Sequence, residues 1–158
     1  MTLLNAPEFN EAKETRNRNI LVGSAIFVAV MALLTVGGFL LGHGWCFMNL
    51  PAEHKVSVFL SAVQAGDYPK AYGMWVNDPQ WQQHPQKYSD YPLQRFKEDF
   101  TTESKWKGQA TSTHVDFSRR NATGTVVATT INGTTLTLFC LRSNGTLDFF
   151  PYDLTRGL

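Results

Sequence analysis

The stretch TVVATTINGTTLTLFCLR, residues 125–142, sets two runs rich in Thr, Val and Leu on either side of Asn132-Gly133. β-branched and apolar side chains suit a pleated, half-buried surface, and Asn-Gly tolerates the positive φ values of a two-residue hairpin turn. The stretch therefore predicts an antiparallel hairpin. Leu136, Leu138 and Cys140 alternate along its second strand and share its buried face. Working outward, Asn144-Gly145 repeats the turn signal ahead of residues 146–150. Upstream, His114-Val115-Asp116-Phe117 alternates, which assigns Val115 and Phe117 to one core face. Four antiparallel strands in a meander, ending near Tyr152, follow.

Ahead of the strands the period changes to that of helices. Asn49-Leu50-Pro51-Ala52-Glu53 reads as a helix start, with Asn49 or a neighbour capping and Pro51 in the first turn. Val56, Phe59, Leu60 and Val63 recur at helical spacing and mark a buried stripe. Gly66 stops this helix and Asp67 caps the next, which carries Pro69 early and Ala71, Tyr72, Met74 and Trp75 inward. A third helix starts after Ser89 or Asp90 as cap, with Pro92 near its beginning and Leu93, Phe96 and Phe100 buried. Between the second and third lies VNDPQWQQHPQKYSDY, residues 76–91, where Pro79 and Pro85 break any period. An irregular segment carrying Trp81, Tyr88 and Tyr91 either tucks over a core or meets a partner. Three helices followed by a curled antiparallel sheet make an α+β domain with its helices on one sheet face.

Residues 20–41, ILVGSAIFVAVMALLTVGGFLL, hold no charge. As a helix they reach roughly 33 Å, enough to cross a hydrocarbon core. Lys13, Arg16 and Arg18 precede the run, and the first basic residue after it is Lys55. The positive-inside bias then sets the N-terminus in the cytoplasm and the domain outside the membrane, in the periplasm of a bacterium. A cleaved signal peptide has a shorter apolar region and a small-residue cleavage site, and Gly42-His43-Gly44-Trp45-Cys46 offers none, so a retained anchor is expected. Trp45 and Phe47 suit the headgroup level. Gly38 and Gly42 have the close-approach spacing of helix pairs. The expected division is a tail at 1–19, loosely ordered, a transmembrane helix at 20–42, a linker at 43–52 and one domain at 53–158.

With 14 Lys and Arg against 13 Asp and Glu, the chain has a net charge of +1 and no basic stripe, which argues against a nucleic-acid partner. No Cys-x-x-Cys-His, glycine-rich phosphate loop or Gly-x-Ser-x-Gly elbow supports a cofactor or a nucleophile. His43 and Cys46 are two potential ligands where a structural zinc wants four, and His54 and His84 have no companions. No metal site is expected. His114 and Asp116 share a strand face as an acid–base pair would, but the face is the outward one. Cys46 and Cys140 would meet in a disulfide only if the domain sat directly on the bilayer. Asn121, Asn132 and Asn144 each head an Asn-x-Thr triplet, which turn chemistry and sheet propensity explain without glycosylation.

The run Val58-Phe59-Leu60-Ser61-Ala62-Val63-Gln64-Ala65-Gly66-Asp67-Tyr68-Pro69-Lys70-Ala71-Tyr72 resembles the opening of nuclear transport factor two-like domains, where an apolar helix turns through a Gly-Asp-Tyr corner into an Ala-Tyr helix. The closing strands are similar to that superfamily's terminal sheet. The resemblance implies a cone-shaped α+β fold, helices cupped by the sheet around a pocket, and leaves function open, since the superfamily holds enzymes, transport factors and docking modules. Two functions compete. One is a non-enzymatic, single-pass accessory or assembly subunit whose helix packs in a membrane complex and whose outer domain docks on another subunit. Trp81, Tyr88, Tyr91, Trp45, Gly38 and Gly42 are its candidate contacts, and the bilayer is its other partner. The other is a membrane-tethered binder, or enzyme, for a small apolar ligand inside the cone.

Overall fold

Asn10 opens the first helix by accepting the Lys13 N–H at 3.0 Å, in a computed structural model that describes residues 10–152. Residues 1–9 and 153–158, with Pro7, Glu8 and Leu158, lie outside the described residues. Helix α1 spans Glu11–Leu41. The Asn10 cap, and Glu11 and Glu14 beside the positive end of the helix dipole, carry it back into a stretch expected to be loosely ordered. Gly42, at φ 81°, ends it in the left-handed conformation. Among the described residues α1 is the one helix long and apolar enough to cross a membrane. Its most apolar window has mean hydropathy 2.5 and is not covered by the rest of the chain.

A short 3₁₀ turn, Trp45–Phe47, leads into α2 (Leu50–Gln64), α3 (Tyr68–Trp75) and α4 (Leu93–Asp99). The corner between α2 and α3 forms as its sequence dictates: Gly66 takes φ 74° and the Asp67 carboxylate accepts the Lys70 N–H at 3.2 Å. The other two caps differ from expectation. Asn49 stands at the N-cap position of α2 but makes no capping bond, because its side chain is turned inward. Pro92 directly precedes α4, and Ser89 instead donates to the Gln86 carbonyl at 3.1 Å, closing a turn one step earlier.

Strands β1 (Thr113–Arg120), β2 (Gly124–Ile131), β3 (Thr134–Leu141) and β4 (Leu147–Phe149) form an open antiparallel sheet in sequence order. Asn132 at φ 48° and Gly133 at φ 78° make the tight turn, with Ile131 opposite Thr134. Asn144-Gly145 falls in a longer loop over residues 142–146, in which Gly145 alone of the pair has positive φ. All three Asn-x-Thr asparagines accept backbone N–H bonds, Asn121 from Gly124 and Asn144 from Thr146 within their own turns, and Asn132 from Thr111 in the segment ahead of β1.

One sheet feature departs from simple alternation. Val115 pairs with Thr129 and Phe117 with Ala128, so Asp116 is an extra residue, a bulge. Neighbouring residues of β2 face opposite ways, so Val115 and Phe117 do too, contrary to their expected common face. Val115 packs on the helix side. Phe117 leaves it, and Ser118, opposite the core residue Val127, takes its place.

The three shorter helices pack on one sheet face, giving an α+β fold. Phe59 lies at its centre, with ring centroids 5.6 Å from Trp75, 6.1 Å from Phe96 and 5.4 Å from Phe100. Phe149 closes the sheet side of this cluster at 4.8 Å from Trp75. Leu136, Leu138, Val127, Ile131 and Leu147 supply the aliphatic floor. Phe59 and Phe96 are both fully buried. Truncating either removes ring contacts that no neighbour can replace, so Phe59→Ala and Phe96→Ala should each lower unfolding free energy by roughly 3–5 kcal/mol. Denaturant titration of the detergent-solubilised chain measures this; a loss under about 1 kcal/mol at both sites would contradict the packing.

Candidate functional site

Two surfaces gather the residues singled out from sequence. The first is the segment after α3. Asp78 organises it: its amide donates to the Gly73 carbonyl at 2.9 Å, and its carboxylate accepts from Gln80 N (2.9 Å), Tyr88 Oη (2.8 Å) and His84 Nδ1 (3.1 Å). Lys87 Nζ stands 4.0 Å away. The Tyr88 hydroxyl, then the Gln80 amide and His84, hold the Asp78 carboxyl below the usual aspartate range. With this hub the segment folds into two 3₁₀ turns, Trp81–Gln83 and Pro85–Tyr88, rather than a free loop.

Trp81 is half-buried. Its indole N–H donates to the Pro69 carbonyl at 3.2 Å, and its ring meets Tyr72 edge-on at 4.8 Å. Gly73 is where the ring approaches α3, since a Cβ there would come within 3.3 Å of it. Tyr72 in turn donates to the Tyr91 carbonyl at 2.5 Å, and Tyr91 donates to Asp99 Oδ2 at 2.6 Å. Burial first, then that carboxylate, raises the Tyr91 pKa and keeps the phenol protonated as a donor. Two grooves flank the segment. One, of about 660 Å³, runs between Trp81, Tyr88 and Leu93, and the other, of about 560 Å³, between Tyr88, Tyr91 and Phe149. The structure thus brings Trp81, Tyr88 and Tyr91 onto one side of the domain, with Tyr88 shared by both grooves.

The second surface is the junction of α1 with the domain, and it holds Trp45, Gly38 and Gly42. After Gly42 the chain hooks back along α1. Trp45 Nε1 donates to Thr35 Oγ1 at 3.0 Å, and Cys46 Sγ lies 3.4 Å from the same oxygen. Gly38 is buried beneath this hook, where a Cβ would collide with the Gly44 carbonyl oxygen. Gly42 backs onto Phe117, whose Cβ would stand 2.8 Å from a Cβ at Gly42. Both close approaches are therefore made within this chain, a different use from the helix-pair seam their spacing suggests.

Beneath the hook sits Glu53, 6% exposed. Its carboxylate accepts from His43 Nδ1 at 2.7 Å and from the Ser118 hydroxyl. The Ser118 amide, on the edge strand, donates to the Gly42 carbonyl at 2.9 Å. Sequence reading missed Glu53 and Ser118, since an acidic residue in a first helical turn looks solvated and Ser118 needed the bulge to turn inward. Serine donates here to the carboxylate and not to the histidine, so the geometry differs from a serine–histidine dyad, and the carboxylate ties β1 and the exit of α1 to α2.

The remaining candidates lie apart. His114 is exposed and its Nε2 is 3.9 Å from Asp116 Oδ1, while Asp116 accepts from Thr130 at 2.9 Å on the outer sheet face. Cys46 and Cys140 are both free thiols. Among the described residues no group of three or more His, Cys, Asp or Glu is placed to hold a metal.

The Asp78 hub has a pH consequence. A lowered carboxyl pKa stabilises the fold fully above the ordinary value of 3.8, and that contribution is lost as pH falls below it. Exchange of the Trp81 indole proton should therefore accelerate in acid ahead of global unfolding. In Asp78→Asn it should already be faster at neutral pH and lose that acid dependence; an unchanged exchange profile would remove Asp78 as the organiser.

No protein family, curated protein or solved structure matches this chain in sequence or in fold.

Proposed function

We propose that this chain is a single-pass membrane-anchored accessory or assembly subunit, whose nuclear transport factor two-like domain lies outside the cytoplasm and docks on another subunit of a membrane complex. The observation that carries this reading is the state of the interior. A cone that handled a small ligand would keep an inward pocket with convergent polar groups. Here the space between helices and sheet is filled by Phe59, Trp75, Phe96 and Phe100, each at most 5% exposed. Of the two grooves beside Trp81, Tyr88 and Tyr91, the one of about 660 Å³ is lined by none of these four rings, and the one of about 560 Å³ reaches only Trp75 among them. Tryptophan and tyrosine are the side chains that most often anchor protein interfaces. The apolar surface of α1, with Leu33 at 73% and Leu40 at 78% exposed, supports a bilayer around it. Lys13, Arg16 and Arg18 at its start support a cytoplasmic N-terminus.

Orientation is tested by fusing reporters after Leu158. A reporter active only outside the cytoplasm should work there, and activity confined to a cytoplasmic reporter would reverse the topology.

Docking is tested on Trp81. Because its ring packs on Tyr72 and Gly73, Trp81→Ala should lower the melting temperature. Docking adds a second effect, a loss of about 2 kcal/mol of binding, or roughly 30-fold in partner retention per folded molecule. Co-purification from mild detergent, normalised to folded protein, separates the two. Lower stability with undiminished retention would leave Trp81 as a lid over α3 and sink the docking role for this segment.

A further inference from the structure

The groove beside the outer end of α1 has a composition unlike the rest of the surface. It encloses about 920 Å³, and Phe39, Leu40, Trp45 and Met48 form its apolar part. Phe39 and Leu40 belong to the last turn of α1 and are 65% and 78% exposed, so this part is continuous with the bare apolar surface of the helix. Arg119, Arg120 and Arg142 line the same groove, and no Asp, Glu or Lys does. Arg142 donates one bond, to the Asn121 carbonyl at 3.2 Å, and the guanidinium groups of Arg119 and Arg120 are without an ion pair or hydrogen bond among the described residues.

A second observation points into the same place. Asn49 lines the groove, is 2% exposed, and has neither its amide nitrogen nor its carbonyl oxygen hydrogen-bonded. A buried amide left without partners costs free energy that a ligand or ordered water recovers. Glu53 is hydrogen-bonded to the lining residue Ser118. Its carboxylate is turned onto Ser118 and His43 and takes no part in lining the groove.

We infer that this groove holds one anionic phospholipid, with its phosphate among Arg119, Arg120 and Arg142 and an acyl chain along Phe39 and Leu40. Guanidinium groups bind phosphate oxygens through paired, charge-assisted donors, which suits a fixed headgroup better than a diffuse lipid surface. The apolar half excludes a free phosphate as the fitting occupant, because nothing in such an ion would cover Phe39, Leu40 and Trp45. Excess positive charge without an acidic companion favours a net-negative headgroup over a zwitterionic one. Asn49 then answers a polar group of the glycerol backbone. The assignment rests on the reading that α1 spans the bilayer.

The test uses the full chain in detergent, titrated with phosphatidylglycerol or with phosphatidylcholine of the same acyl chains, and bound lipid is counted by native mass spectrometry. Phosphatidylglycerol should bind the tighter, and the triple variant Arg119→Gln, Arg120→Gln, Arg142→Gln should lose about tenfold or more of that affinity. Removing equal charge elsewhere, by Lys70→Gln, Lys97→Gln and Lys107→Gln, should leave it unchanged. Asn49→Leu should weaken lipid binding without lowering the melting temperature, which a purely structural asparagine would not do. Equal binding of both lipids, loss in the off-site variant alone, or displacement of the lipid by inorganic phosphate would each overturn the site. Extraction of membranes with alkaline carbonate separates the premise from the proposal: a chain that washes off has no spanning helix, whereas one that stays embedded yet shows no lipid preference refutes the groove alone.

Discussion

A carboxylate that is almost wholly removed from water must be hydrogen-bonded where it lies, and Glu53 is in that position. Its two partners come from distant parts of the chain, His43 from the exit of α1 and Ser118 from β1. Satisfying one side chain on α2 therefore fixes three segments together. The bulge at Asp116 is what makes this possible. Without the extra residue Ser118 would face away from α2, and Phe117 would take the helix side in its place. The same residue that breaks the alternation turns Phe117 toward Gly42 and lets the β1 edge donate to the Gly42 carbonyl. An edge strand is thereby covered where α1 ends.

The aromatic side of the domain is organised by the same rule at a second carboxylate. Asp78 gathers Tyr88, His84 and the Gln80 amide, and that brings Trp81 down onto Tyr72 and Gly73. Tyr72 and Tyr91 continue the chain of donors to Asp99, which Arg95 pairs at 3.4 Å. A segment poor in regular structure is held in shape by polar bonds with aromatic rings packed between them. Such a surface presents Trp81 and Tyr88 at low entropic cost, which is the property a docking face needs.

Much of the fold was legible in local sequence, because local terms decide it. Asn132-Gly133 could adopt paired positive φ, Asp67 could cap α3, and the spacing of Val56, Phe59, Leu60 and Val63 named the buried face of α2. Asn144-Gly145 carried the same letters as the first turn but closed a longer loop, since the register between β3 and β4 is set by side-chain packing as well as by the turn. The bulge at Asp116 left no mark in the sequence, because alternation looks the same with or without an inserted residue until the partner strand is known. What depends on it was hidden too: Ser118 facing Glu53 and Phe117 on Gly42. The aromatic residues of the candidate docking face were visible by type. Asp78, which positions them, was not, because an Asp before Pro reads as a plain turn residue.

The arginines show the same limit from the side of electrostatics. Sequence rules weigh basic residues by their distance along the chain from an apolar run, and by that measure nothing lies between the end of α1 and Lys55. In space three arginines line the groove at the end of α1. β1 carries Arg119 and Arg120 to it through the Ser118–Gly42 bond, and the hairpin register brings Arg142 alongside, its amide donating to the Thr123 carbonyl at 2.9 Å. Charge that is remote in sequence becomes local once β1 is pinned. On the anchored reading, that places a cationic cluster at the headgroup level of the outer leaflet, next to Trp45 and the last apolar turn of α1. The hook and the Glu53 clamp join the end of α1 to α2 and β1, so on the proposed reading the face carrying Trp81, Tyr88 and Tyr91 would meet a neighbouring subunit in a single orientation.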